Sequence, residues 1–222
     1  TYDPADFVYS TTYYWKIVPY NQFGDAVDCP VWSFTTLADP TVTTYPYEQN
    51  FDTLTPPALP LGWTTINANG DTYAWETYAG NADTAPNSAR IRYNTTIPMN
   101  DWLVMPPFAM TADTNYRLTF KYRAASATYA EKLAVYWGTA PTAEAMTNML
   151  WSNESITNIT YETVQLPLAP TTAGTYYFGF KGYSETDMFY LYIDTVSMEL
   201  LTDVLDPPTN LTATVSGYNV AL

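Results

Sequence analysis

The stretch Tyr116-Arg-Leu-Thr-Phe-Lys-Tyr-Arg123 decides the fold. In an extended chain Tyr116, Leu118, Phe120 and Tyr122 fall on one side, and Arg117, Thr119, Lys121 and Arg123 on the other. Aromatic and apolar residues alternating with cations and a hydroxyl describe a strand whose sheet has one buried and one wet face. Working outward, further strands are predicted at 45–51, 74–78, 88–93, 102–105, 133–137, 161–166, 174–181 and 188–200, with turn-forming Pro, Gly, Asn and Asp between them. One short helix is predicted at 142–150, after Pro141 and capped by Thr142. Many short strands in close succession argue an all-β fold, a jelly-roll β-sandwich spanning about 41–201.

The composition supports that alphabet and excludes several functions. Hydrophobic residues make up 47% of the 222-residue chain and aromatic residues 17%, enough for a packed core and against disorder. There is no His, which removes imidazole general bases, Ser–His and Cys–His nucleophiles and His-ligated metals. The single thiol, Cys29, cannot form an internal disulfide or a Cys-cluster metal site, and is expected to be a small buried apolar residue. A net charge of −14 repels phosphate backbones and anionic lipid, so neither nucleic acid nor a membrane surface is an expected partner. No apolar run approaches the roughly 20 residues that span a bilayer. Nor is an enzyme expected. With 22 Asp and Glu some carboxylate pair is always near another, so paired acids alone nominate no glycosidase.

The two ends differ in texture from the middle. Residues 12–18, Thr-Tyr-Tyr-Trp-Lys-Ile-Val, followed by Asn21 and Gly24, and then 31–36, Val-Trp-Ser-Phe-Thr-Thr, resemble the last two strands of a fibronectin type III domain. Residues 206–222 open with Asp-Pro-Pro and alternate through Leu211, Ala213 and Val215; they resemble the first strands of a second such domain. The expected organisation is therefore partial modules at 1–37 and 206–222 around a complete unit at 41–201, the whole being an excerpt of a longer chain. The N-terminal hairpin is expected to pack on the middle unit.

Several phrases of the middle unit resemble the cleaved-adhesin family, related to the choice-of-anchor J domains of Bacteroidetes surface proteins, and most closely its gingipain-type haemagglutinin/adhesin repeats. They are Tyr47-Glu-Gln-Asn-Phe51, Leu59-Pro-Leu-Gly-Trp63, Asn67-Ala-Asn-Gly-Asp71 followed by Trp75, and Asn100-Asp-Trp-Leu-Val-Met-Pro106. Leu118 and Phe120, Ala134 to Gly138, and the closing run from Thr186 to Val196 complete the order. The resemblance implies a jelly roll that binds calcium structurally and serves as a non-catalytic module of secreted or surface-displayed bacterial proteins. Implied partners are host or matrix proteins, beside neighbouring domains of the same longer chain.

The best local signal for a cation is Asn67-Ala-Asn69-Gly70-Asp71, with side-chain oxygens at alternating positions around a glycine turn. An Asx-rich turn without metal has the same sequence, and the family often has Asp where this chain has Asn67 and Asn69. Glu48 and Asp194 are the further candidate ligands, because Asp194 interrupts an apolar closing strand and a carboxylate there needs a partner. Glu131 and Asp187 are weaker candidates for the same or a second ion. An alternative reading is a carbohydrate-binding accessory module of a secreted hydrolase or peptidase. Tyr73, Trp75, Trp137 and Tyr183 are then the candidate stacking residues, though most of the aromatics must fill the core.

Overall fold

The computed structural model describes residues 7–201 and the backbone of two short strands beyond them. In chain order the strands are β1 (Thr12–Trp15), β2 (Tyr20–Asn21), β3 (Gly24–Asp25), β4 (Trp32–Thr35), β5 (Tyr47–Gln49) and β6 (Thr64–Asn67). There follow β7 (Glu76–Ala79), β8 (Asn87–Arg92), β9 (Asp101–Val104), β10 (Phe108–Met110), β11 (Tyr116–Ala124) and β12 (Glu131–Gly138). The rest are β13 (Asn148–Ile156), β14 (Glu162–Leu168), β15 (Gly174–Gly182), β16 (Tyr190–Leu200), β17 (Thr214–Ser216) and β18 (Asn219–Ala221). No helix among the described residues is long and apolar enough to cross a membrane. The terminal segment expected to open a second module lies largely outside the described residues.

Two antiparallel six-stranded sheets form the sandwich. One runs β13-β12-β15-β9-β6 with β10 also on β15; the other runs β14-β11-β16-β8-β7 with β5 also on β16. The alternation that opened the sequence reading is observed, since β11 is buried at every second residue from Tyr116 to Ala124. Its Leu118 and Phe120 meet Leu133, Val135, Phe178 and Phe180 of the facing sheet. Phe120 and Phe180 are edge to face at 5.0 Å. Each such side chain contributes about 1.5–3 kcal/mol by leaving water.

The closing strand needs a correction of phase to stay in this core. Lys121 faces Asp194 but Thr119 faces Ser197, so β16 carries one extra residue, and Thr195 there has φ +50°. This bulge turns Val196 and Met198 inward, both essentially buried, after Leu191 and Ile193. Without it the period of two would send them to solvent.

Gly62, at φ +81°, lies where a Cβ would stand 2.6 Å from Pro40 Cβ and 2.8 Å from Pro106 Cβ. The chain entering the unit therefore packs directly over the Pro-Leu-Gly-Trp turn. Val42 continues it, accepting from Ala109 N and donating to Pro107 O.

Three expectations are corrected. The helix at 142–150 is one turn, closed by Ala145 N and Met146 N on Thr142 O, after which the chain becomes β13. Pairing of β13 along β12 outweighs the local helical preference, and Met146 instead drops onto Trp102 and Val104. The N-terminal hairpin β1–β4 is not buried against the sandwich: Trp15 and Trp32 stack on each other at 4.8 Å and remain 46% and 43% exposed. Cys29 is half-buried, its thiol 3.5 Å from Ala26 O.

Candidate functional site

The residues nominated as cation ligands do not converge, and the stronger candidates fall at two separate places. The first is built by β6 and β9, which pair Asn67 with Asp101 and so hold the 67–71 turn over the start of β9. Within the turn Asn67 Oδ1 accepts from Gly70 N at 2.8 Å, and Asn69 Oδ1 from Asp71 N at 3.2 Å. Asp71 accepts from Tyr73 N at 2.7 Å and from Asn94 Nδ2 at 2.9 Å. Asn69 Nδ2 donates to Pro98 O at 2.9 Å and lies 3.4 Å from Asp101 Oδ2. Trp75 Nε1 donates to the Asp101 carbonyl at 3.1 Å from below.

Asp101 is the unexpected member. It is 2% exposed, and its Oδ1, like Asn100 Oδ1, is buried without a hydrogen-bond partner among the described residues. Burial pushes its carboxyl up to about 6, against a hydrogen bond from Asn100 N, and the charge of Asp71 adds to the rise. An anionic oxygen in that condition calls for a proton or a cation. The signal that could have found it is the one that singled out Asp194: a lone carboxylate opening an apolar strand, Trp102-Leu-Val-Met105.

The second place lies at the β16 bulge. Asp194 is fully buried, and its oxygens accept from Asp83 N at 2.7 Å, Thr84 N at 3.2 Å and Thr195 N at 2.7 Å. Burial raises its carboxyl to about 6 although those three N–H groups pull the other way. Asp83 is itself paired with Lys121 Nζ at 2.6 Å and Thr195 Oγ1 at 2.9 Å. Glu48, exposed on β5, lines a cavity of about 390 Å³ together with Thr84 and Thr195. Here the chain supplies its own donors and its own cation, whereas the 67–71 corner leaves oxygens unpartnered. Among the described residues no three of His, Cys, Asp and Glu converge as a ready-made ligand cluster. Any cation would draw on Asn and carbonyl oxygens as well.

Glu131 and Asp187 serve the loop behind the first corner. Glu131 is fully buried, accepting from Ser184 Oγ at 2.5 Å and Phe189 N at 2.7 Å, and burial raises its carboxyl. Asp187 has φ +58° and donates its N–H to Asn94 O. Of the four aromatics nominated for stacking, Trp75 is a core residue, 3% exposed, and so unavailable to a ligand. Trp137 lies against Tyr176 at 5.0 Å and Phe178 at 6.1 Å. Tyr73 lies under the Arg92 guanidinium at 4.3 Å. Tyr183 lines a concavity of about 180 Å³.

A family profile described as Cleaved Adhesin Domain matches residues 47–198, more than half of the chain and the whole of both corners. The chain belongs to the cleaved adhesin family. Among solved structures it is similar to the K1 cleaved adhesin domain of Lys-gingipain from Porphyromonas gingivalis, at 26% identity and a TM-score of 0.58 over 72% of this chain and 100% of that one. The K3 domain of the same protein aligns at 25% identity and a TM-score of 0.55, covering 69% of this chain and 96% of that one. Its K2 domain shares the fold at 16% identity and a TM-score of 0.58, covering 70% and 99%. No curated protein sequence matches the chain. The cleaved adhesin unit is thus a β-sandwich whose loops carry both candidate corners.

Proposed function

We propose that this cleaved adhesin unit is a non-catalytic, calcium-stabilised binding module of a larger secreted or cell-surface bacterial protein, with host or matrix proteins as its partners. Membership of the adhesin family supports the binding role. The calcium reading rests on one observation, the buried, unpartnered Oδ1 of Asp101 within the field of the Asp71 charge. Hard oxygen donors of this kind fit a calcium ion, which takes six to eight of them. Asp71 and Asp101 would supply the charge, with amide oxygens from Asn67 or Asn69 completing the set. Bound calcium would neutralise the two carboxylates and tie the 67–71 turn to β9; the residues themselves do no chemistry. The segments at 1–37 and 206–222 are proposed as parts of fibronectin type III-like neighbours that space the module along the longer chain.

The test is thermal melting of the whole chain with chelator and with added calcium, beside retention on immobilised matrix proteins in both conditions. Chelation lowers the melting temperature, calcium restores it, and Asp101→Asn removes the response while Asp194→Asn keeps it. Loss of the response with Asp194→Asn alone moves the site to the bulge corner. An unchanged melting curve refutes the calcium reading, and no retention on any host or matrix protein refutes the partner class.

A further inference from the structure

The outward face of the β13-β12-β15-β9 sheet has a chemistry that neither corner uses. Tyr136 from β12, Met149, Ser152 and Glu154 from β13, Lys181 from β15 and the following Tyr183 enclose the concavity of about 180 Å³. Five of the six stand on strands, so their positions are set by the sheet. Lys181 Nζ lies 5.4 Å from the Trp102 ring centroid and 5.9 Å from that of Tyr183, held between two π faces. Among the described residues no carboxylate forms an ion pair with it. Tyr183 donates to Glu154 Oε1 at 2.6 Å. Trp102 packs beside Tyr136 at 5.3 Å, and its indole N–H is buried with no acceptor among the described residues.

We propose that this concavity is a subsite for one residue of a neutral glycan. It joins half-buried phenol rings, on which the C–H face of a pyranose stacks, to a carboxylate acceptor and an ammonium donor that match adjacent sugar hydroxyls. One positive and one negative group leave the subsite without net charge, while the chain's −14 disfavours acidic glycans. A peptide has less to gain here. Strands β12 and β15 are each paired on both sides, and strand addition at the concavity is open only along the outer edge of β13, the side away from β12. This subsite goes beyond the protein-binding reading and does not depend on calcium.

The experiment is saturation-transfer NMR on the whole chain with methyl glycosides of glucose, galactose and mannose, followed by an array of neutral, sialylated and sulfated glycans. At least one neutral sugar shows transfer, and the array retains neutral glycans over acidic ones. Tyr136→Ala and Lys181→Met weaken the retained glycan about tenfold each, the loss of one stacking or charge-assisted contact. Tyr190→Ala, on β16 of the other sheet, leaves binding unchanged, and circular dichroism confirms that each variant is folded. The proposal is overturned by absence of transfer from all three sugars and of any array signal. It is equally overturned by binding that Tyr136→Ala and Lys181→Met leave intact, or by retention of acidic glycans alone. Failure of calcium to alter the melting curve leaves these outcomes as they are.

Discussion

Replacing Asp101 by Asn keeps the shape of the side chain and removes its charge, which makes the calcium argument quantitative. In the folded chain the Asp101 carboxyl is pushed up to about 6 from 3.8, mainly by burial. At pH 7 the ionised group therefore costs about 3 kcal/mol relative to the unfolded chain. The amide still pays part of this, since a buried polar group with an unmet partner costs about 1–2 kcal/mol. The variant should thus gain about 1–2 kcal/mol without metal, raising the melting temperature by about 3–6 °C for a unit of this size. With calcium at about a hundred times its dissociation constant the natural chain gains about 2.7 kcal/mol, and the variant gains little. The order of stability consequently reverses between chelator and calcium. Scanning calorimetry of both proteins in both conditions reads this directly. A variant no more stable than the natural chain in chelator refutes the desolvation argument. A variant with the full calcium response refutes the assignment of Asp101 as a ligand.

Three further predictions test the frame around that site. Phe180→Ala empties the centre of the interface between the sheets, where Phe180 is fully buried, and should cost about 3–5 kcal/mol by urea unfolding. Asp194→Ala leaves the N–H groups of Asp83, Thr84 and Thr195 without their acceptor; it should lose about 2–3 kcal/mol, with faster amide exchange confined first to residues 83 and 84. In chelator the chain should become more stable as pH falls from about 7 to 5. Both Asp101 and Asp194 have carboxyls raised to about 6, so the folded state binds more protons in that window. A urea midpoint that falls over the same window contradicts both assignments.

Much of the fold was legible because a strand writes its burial into every second residue. The run 116–123 and the closing strand show this directly, and each strand predicted in 41–201 has an observed counterpart. Strands β6, β10 and β13 were not legible. In β6, Thr-Thr-Ile-Asn, only Ile66 is apolar and no alternation shows, β10 is a three-residue piece directly after Pro106-Pro107, and β13 is an edge strand with register shifts whose exposed and buried residues do not alternate. The segment 142–150 carries helical signals, and only the open side of β12 made part of it a strand. Among site residues, Asn67, Asn69 and Asp71 were visible as an oxygen-rich turn, and Asp101 carried a local signal of its own, but nothing local places it beside that turn, because nothing local says that β9 pairs with β6.

By itself, then, the sequence determined an all-β chain, the alternation that builds its sandwich, and the family phrases that run from Tyr47 to Val196. It also excluded His- and Cys-based chemistry, because composition and period are properties a residue carries wherever it sits. Tertiary structure alone decided which acids become neighbours: Asp101 with Asp71, and Asp194 with the backbone of Asp83 and Thr84. It also made Trp75 a core residue and gathered Tyr136, Glu154 and Lys181 around one concavity. Those facts depend on strand pairing between distant segments, and pairing is set by the total burial of two sheets rather than by any one stretch of chain.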